Sequence, residues 1–153
     1  YPIEGLGTVK EISLTFTKLE TPDGLWLMTP NSVLSSGKIT NYTALGRRRA
    51  EIRVGASYDA AVSDVRAACL DAAARVPGVL PDPAPIVYVD SYGESSISYI
   101  VRVWCRSEDY TDVYYGLTEG LKAAFDEHGV EMPYNHLNIH ILDQTEQKEK
   151  QTV

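Results

Sequence analysis

The stretch of residues 18–43 decides the fold, and it reads KLETPDGLWLMTPNSVLSSGKITNYT. Its TPDG segment is typical of a tight turn, because Asp23 can bond nearby backbone and Gly24 accepts a positive φ. Apolar residues alternate before and after this segment, which is typical of strands. The stretch therefore predicts a β-hairpin whose second strand ends at Pro30 and Asn31, since proline cannot donate to a ladder.

The hairpin is expected to belong to a small β-domain that comprises residues 1–46. The alternation of apolar residues predicts one strand from Val9 to Leu19. After the hairpin, residues 35–37 are expected to form a loop and Lys38 to Thr43 a short strand. Leu45 and Gly46 mark the boundary with the next domain.

Residues 47–133 predict a second domain of the order β-α-β-β-α-β, which is the ferredoxin-like order. The strands are expected at Arg48–Ser57, Ile86–Tyr92, Ile97–Arg106 and Val130–Met132. The helices are expected at Ala60–Val76 and Tyr110–His128, with Asp59 and Asp109 as their N-caps. Each helix has one apolar stripe, so both are expected to cover one face of a sheet.

Residues 134–143 predict a last strand, and the polar residues 144–153 predict a disordered tail. In this strand the apolar residues Leu137, Ile139 and Ile141 alternate with the polar residues His136, Asn138 and His140. On a strand the two histidines lie about 13 Å apart, so one chain cannot bring both to one metal ion. No metal site is therefore predicted, and the alternative is a site formed by copies of one histidine in a symmetric ring.

Composition disfavours several classes of function. The net charge of −7 disfavours nucleic-acid binding, and the only basic run, residues 47–49, predicts a solvated strand face rather than a phosphate site. Cys69 and Cys105 lie at apolar positions and predict buried free thiols, which suits a reducing compartment. No apolar run reaches the ~20 residues that span a bilayer.

The chain shows no constellation of catalytic residues. Gly93 to Ser96 does not form the G-x-S-x-G elbow of a serine nucleophile. The acidic residues are scattered, and several are explained as caps or turn residues. Trp26 and Trp104 lie in expected strands, where core or interface packing is preferred to a ligand platform. The sequence therefore predicts a protein that is not an enzyme and has no cofactor.

An ordered series of motifs resembles the cytoplasmic part of the small-conductance mechanosensitive channel (MscS) family. The series covers nearly the whole chain. It comprises Gly7-x-Val9-x-x-Ile12, Leu19-x-Thr21-x-Asp23-Gly24, Pro30-Asn31-Ser32, Ile39-x-Asn41, Arg47-Arg48, Tyr58-Asp59, Val101-Arg102-Val103-Trp104, Phe125-Asp126-x-x-Gly129-Val130 and Pro133-Tyr134.

The resemblance implies an α+β fold with an Sm-like β-domain, a ferredoxin-like sandwich and a C-terminal strand for a parallel barrel between subunits. A barrel of about seven strands has little interior space, and apolar filling costs less than burying imidazoles, so Leu137, Ile139 and Ile141 are expected to face its axis. The opposite orientation would place rings of histidine and asparagine there. Asp23, Gly24, Pro30 and Asn31 are expected to form a structural turn motif. The resemblance also implies transmembrane helices before Tyr1, including the one that lines the pore.

The function that the resemblance implies is that of the cytoplasmic cage of a homo-oligomeric channel, usually of seven subunits, in the bacterial cytoplasmic membrane. Such a channel opens under tension after hypo-osmotic shock and releases ions and small solutes. It has no active site and no cofactor. Two alternatives stay open: a ferredoxin-like domain that senses a small molecule, and an Sm-like RNA binder, which the acidic charge disfavours.

Overall fold

The computed structural model describes residues 7–135 and divides the chain into two units, Tyr1–Ala44 and Leu45–Val153. The first is called the β unit here and the second the α/β unit. Each has an antiparallel sheet of three strands. The fold is therefore mixed α/β, as the sequence predicts.

The β unit is a meander of three strands followed by a short helix. The strands are β1 (Thr8–Ile12), β2 (Phe16–Glu20) and β3 (Trp26–Pro30), and the helix is α1 (Asn31–Ser36). They pair in the order β1-β2-β3. The β2–β3 hairpin turns at residues 21–25, so its position agrees with the sequence prediction.

The prediction of one strand from Val9 to Leu19 is wrong, because the chain reverses at Ser13. The Ser13 hydroxyl donates to the Phe16 carbonyl at 2.8 Å and accepts from the Phe16 amide at 3.1 Å. A serine that bonds backbone three residues away competes with an extended conformation. Apolar alternation continues through this turn, so the sequence pattern alone does not show the reversal.

The predicted strand from Lys38 to Thr43 is also absent from the described structure. Asn41 Oδ1 accepts from the amides of Thr43 and Ala44 at 3.1 and 3.0 Å, which is an asparagine-centred turn. Residues 35–37 do not form the loop that the sequence predicts, since α1 extends through Ser36.

The α/β unit places two helices against one face of its sheet. Its elements are β4 (Arg47–Ala56), α2 (Val62–Arg75), β5 (Ile86–Tyr92), β6 (Ile97–Arg106) and α3 (Tyr110–Glu127). The sheet order is β4-β6-β5, with β6 antiparallel to both neighbours. β4 and β5 are therefore parallel to each other with β6 inserted between them, and α2 connects them as the crossover.

The core lies between the inner face of this sheet and the two helices. Alternate residues of β4 and β6 supply the sheet side, and the stripes of α2 and α3 supply the other. Fully buried members include Ala50, Val65, Cys69, Tyr99, Val101, Val103, Val113, Leu117 and Phe125. Burying a side chain of valine, leucine or phenylalanine contributes about 1.5–3 kcal/mol, so this layer supplies most of the apolar stabilisation of the unit.

The helices begin without the predicted side-chain caps. Ala61 precedes α2, because Ser57 organises a turn ahead of the helix: its carbonyl accepts from the Ala60 amide and its hydroxyl from the Asp59 amide. Asp109 is at the N-cap of α3, but its side chain makes no capping hydrogen bond.

The predicted strand from Val130 to Met132 does not form in the described structure. The Val130 amide bonds the Phe125 carbonyl and so completes the end of α3. The Ser57 amide, which follows β4, donates one backbone hydrogen bond to the Glu131 carbonyl at 3.0 Å. Since Pro133 has no amide proton, a longer ladder cannot form beyond it.

Candidate assembly surfaces

Asn31 ties together the two turns at one end of the β unit. Its Oδ1 accepts from Thr17 Oγ1 at 2.7 Å, and its Nδ2 donates to the carbonyls of Ser13 and Leu14 at 2.9 and 3.2 Å. Its backbone amide donates to Thr15 at 2.9 Å. The residue that follows the strand-ending proline thus fixes the β1–β2 turn to the end of β3. The sequence marked Asn31 as a strand terminator and as part of a structural turn motif, but it did not indicate these bonds.

The hairpin turn depends on Thr21 more than on Asp23. Gly24 has φ of 81°, in the region that glycine adopts without strain. Buried Thr21 accepts from the Leu25 amide through Oγ1 at 3.0 Å, and their backbones bond at 2.9 Å. Among residues 7–135 the Asp23 carboxylate makes no hydrogen bond. Sequence reasoning missed Thr21, although a threonine that opens a turn is a known source of such bonds.

One face of the β-unit sheet exposes large apolar side chains. Phe16, Trp26 and Met28 are 43%, 57% and 63% exposed, and the register places them on the same face. Lys18 lies among them with its Nζ 3.8 Å from the centroid of the Trp26 ring. Contiguous apolar surface that solvent reaches marks a site of interaction. This face, defined by Phe16, Trp26 and Met28, is called the apolar face below.

The predicted barrel residues Leu137, Ile139 and Ile141 lie outside the described residues, as do His136 and His140. The structure therefore gives no position for these side chains.

The arginines of the basic run point to two sides of the α/β-unit sheet. Arg47 and Arg49 lie on its open side, whereas the Arg48 guanidinium lies 3.6 Å from the centroid of the Tyr110 ring. The prediction that the basic run lies on a solvated strand face therefore holds for Arg47 and Arg49 but not for Arg48. On the open side, Glu51 Oε1 lies 2.8 Å from Arg49 and 3.0 Å from Arg102.

A cluster of charged residues links the C-terminal ends of α2 and α3. Arg75 pairs with Asp71 on its own helix and with Glu127 on α3 at 2.8 Å, and Asp71 Oδ2 lies 3.1 Å from His128 Nε2. The hydrogen bond with His128 and then the Arg75 pair lower the pKa of Asp71. Arg75 likewise lowers the pKa of Glu127. The cluster is structural, since it joins two helix ends on the surface.

The cysteines, the possible metal ligands and the depression on α3 were the remaining candidates for a functional site within residues 7–135. Cys69 and Cys105 are free and buried, as predicted, and burial raises the pKa of the Cys69 thiol to about 12, so it stays protonated and unreactive. Residues 7–135 contain no group of three or more His, Cys, Asp or Glu side chains that could hold a metal ion. A depression of about 230 Å³ on α3, lined by Tyr110, Thr111, Tyr114 and Tyr115, is smaller than ordinary ligand pockets.

No helix within residues 7–135 combines the length and apolar character that crossing a membrane requires.

Two family profiles match the chain in order, one on each unit. The profile of the mechanosensitive ion channel β-domain matches residues 4–44, and that of the C-terminal region of the mechanosensitive ion channel MscS matches residues 50–132. The second match alone covers more than half of the chain. The chain belongs to the MscS family of mechanosensitive ion channels.

Named relatives agree with this assignment. The small-conductance mechanosensitive channel of Edwardsiella ictaluri is 31% identical over 135 residues, which cover 88% of this chain and 47% of that protein. An uncharacterized MscS family protein of Archaeoglobus fulgidus is 33% identical over 137 residues, covering 86% and 47%. The chain thus spans about half the length of these relatives.

Solved structures show the same architecture. The crystal structure of Helicobacter pylori MscS in its closed state superposes with a TM-score of 0.85 at 28% identity, over 93% of this chain and 57% of that one. Arabidopsis thaliana MSL1 superposes with a TM-score of 0.68 over 84% and 49%. At 18% identity the second likeness concerns the fold alone.

Replacing Asn31 with aspartate tests the role of its amide group. Asn31→Asp keeps the acceptor for Thr17 but turns a carboxylate oxygen toward the carbonyls of Ser13 and Leu14. We expect the free energy of unfolding of the β unit to fall by about 1–2 kcal/mol, because two hydrogen bonds from the amide group are lost and a carboxylate oxygen then faces the two carbonyls. Urea unfolding followed by Trp26 fluorescence in a Trp104→Phe background measures it.

Asn41→Asp is the matched control for this substitution. The Asn41 side chain acts as an acceptor toward Thr43 and Ala44, and aspartate can do the same. We expect its effect to stay within about 0.5 kcal/mol. Equal losses in the two variants would show that Asn31 does not hold the turns together.

The cluster at the helix ends predicts a dependence of stability on pH. The pKa values of Asp71 and Glu127 are lowered in the folded chain, so their contribution to stability is fully present above the ordinary carboxyl pKa and is lost as pH falls below that value through the lowered one. We expect the urea midpoint to fall less in Asp71→Asn than in the parent between about pH 6 and about pH 3. Arg75→Gln, which removes the partner of both carboxylates, should act the same way. If the urea midpoint of both variants fell with acid as much as that of the parent, the two carboxylates would not be the source of the pH dependence.

Proposed function

We propose that the chain is the cytoplasmic cage of an MscS-family channel that releases ions and small solutes on hypo-osmotic shock. The observation that carries the proposal is the match of both family profiles, in order, along one chain whose fold superposes on H. pylori MscS. The assembly would be a homo-oligomer, with seven subunits as the expected number. It would be held in the bacterial cytoplasmic membrane by helices encoded before Tyr1.

The sheet of the α/β unit supports a ferredoxin-like description of that part. The order β4-β6-β5 corresponds to strands 1, 3 and 2 of the ferredoxin-like order. The bond from the Ser57 amide to the Glu131 carbonyl puts residue 131 beside the end of β4, where a fourth strand would lie. For the β unit, we propose that the meander is part of an Sm-like domain.

The apolar face of the β unit supports assembly. A three-stranded sheet of this size needs a partner to cover Phe16, Trp26 and Met28. Identical neighbours in a closed ring provide such cover for every subunit at once. The other function considered, a small-molecule sensor, finds no support in the shallow depression on α3.

The gene that encodes this chain provides the test of channel activity. We expect its full product, expressed in bacteria that lack mechanosensitive channels, to give tension-activated currents in membrane patches and to raise survival of hypo-osmotic shock. A full product that reaches the membrane but gives no current under tension would refute the proposal. An open reading frame that begins at Tyr1 and encodes no membrane span would also refute it.

The proposed barrel on the symmetry axis is tested separately by truncation. A lone strand at residues 136–142 would be an exposed edge, and closure with its copies removes that edge. We expect deletion of residues 135–153 to lower the oligomer mass measured by light scattering on a sizing column. Deletion of residues 144–153 alone, which removes only the polar tail, is the control and should leave the mass unchanged. An unchanged mass in the longer deletion would rule out the barrel as a contact.

A further inference from the structure

The open side of the α/β-unit sheet carries one tryptophan surrounded by arginines. Trp104 pairs across the strands with Arg49 and has Arg102 and Arg106 two residues away on its own strand. Arg47, on the diagonal, lies with its guanidinium 5.3 Å from the centroid of the Trp104 ring. These five residues, Arg47, Arg49, Arg102, Trp104 and Arg106, are called the arginine face.

The positive charge of this face is not balanced within the described chain. Glu51 is shared by Arg49 and Arg102, and Arg106 lies 3.6 Å from exposed Glu108. Arg47 and Arg106 are direct cross-strand partners, an arrangement of like charges that destabilises a sheet. A chain with a net charge of −7 thus concentrates cations around one aromatic ring.

A second surface has the opposite character and lies on α3. Asp112, Tyr115 and Glu119 are spaced by three and four residues and form one exposed stripe, called the acidic stripe. Tyr115 at its centre is 62% exposed. Within residues 7–135 neither Asp112 nor Glu119 takes part in an ion pair.

The two surfaces point away from each other. At 100° per residue, the acidic stripe lies on the side of α3 opposite the buried Val113, Leu117 and Leu121. Those buried residues face the inner side of the sheet, whereas the arginine face lies on its open side. One chain therefore cannot satisfy its own arginine face with its own acidic stripe.

We propose that the arginine face of one copy of this chain docks against the acidic stripe of the next copy. Both surfaces have a large aromatic at the centre and charges at the sides, and the charges are complementary. Tryptophan, tyrosine and arginine are the residues enriched where interfaces gain most of their energy. Because two different patches meet, the contact is head-to-tail, and such contacts close into rings when the rotation between copies permits. The inference rests on the proposed homo-oligomer and assigns a contact within it.

Charge reversal tests this contact on the full 153-residue chain. We expect Arg106→Glu or Glu119→Lys alone to weaken assembly roughly tenfold, because each sets like charges against each other. The combined variant, Arg106→Glu with Glu119→Lys, restores an opposite pair and should recover most of the parent's affinity. Sedimentation velocity over a range of concentrations measures the assembly, and added NaCl should weaken it in the parent.

Glu94→Lys is the control, since it makes the same change of charge as Glu119→Lys in the β5–β6 turn, away from both surfaces. It should assemble like the parent, and thermal unfolding should show that every variant is folded. Single variants that assemble like the parent, a combined variant that assembles no better than either single one, or a parent chain that stays monomeric would each overturn the inference. Currents from the full gene product together with failed rescue would refute this contact and leave the proposed channel function standing.

Discussion

The structure of the α/β unit depends on the burial of only one face of its sheet. Two helices, α2 and α3, supply enough apolar surface to cover the inner side of β4, β5 and β6, and both pack there. The crossover from β4 to the parallel β5 puts α2 on that side. No described helix of this unit packs on the opposite side. The exposed arginines of β4 and β6 follow from that division.

Strand alternation then decides the chemistry of each side. In β4 the apolar residues Ala50, Ile52 and Ala56 point inward, and the charged residues between them point outward. In β6 the inward positions are Ile97, Tyr99, Val101, Val103 and Cys105, whereas Arg102, Trp104 and Arg106 occupy the outward ones. Because the period of a strand is two residues, a shift of register by one residue would bury the arginines and expose the apolar residues. The register of the sheet therefore determines both the core and the open face.

The β unit obeys a different constraint, since it has almost no core of its own. Within its described residues, the buried side chains are Leu19, Thr17 and Thr21. Hydrogen bonds from Asn31 and Thr21 therefore fix its turns, while its largest apolar side chains remain on the surface. Small units with little buried area are marginal alone and gain stability by association. This is the physical reason why the surface of the β unit favours association.

The sequence by itself determined the parts of the fold that local periodicity controls. It located β5 and β6 at their observed bounds and gave the apolar stripes of α2 and α3, because these elements are long or clearly alternating. It failed where a polar side chain redirects the backbone, at Ser13, Asn41 and Ser57, since such bonds leave no trace in an apolar pattern. Only the tertiary structure decided that Arg47 and Arg106 are cross-strand partners and that Asn31 reaches Ser13. These contacts join residues far apart in the chain, and their existence depends on register and turn geometry that no local pattern encodes.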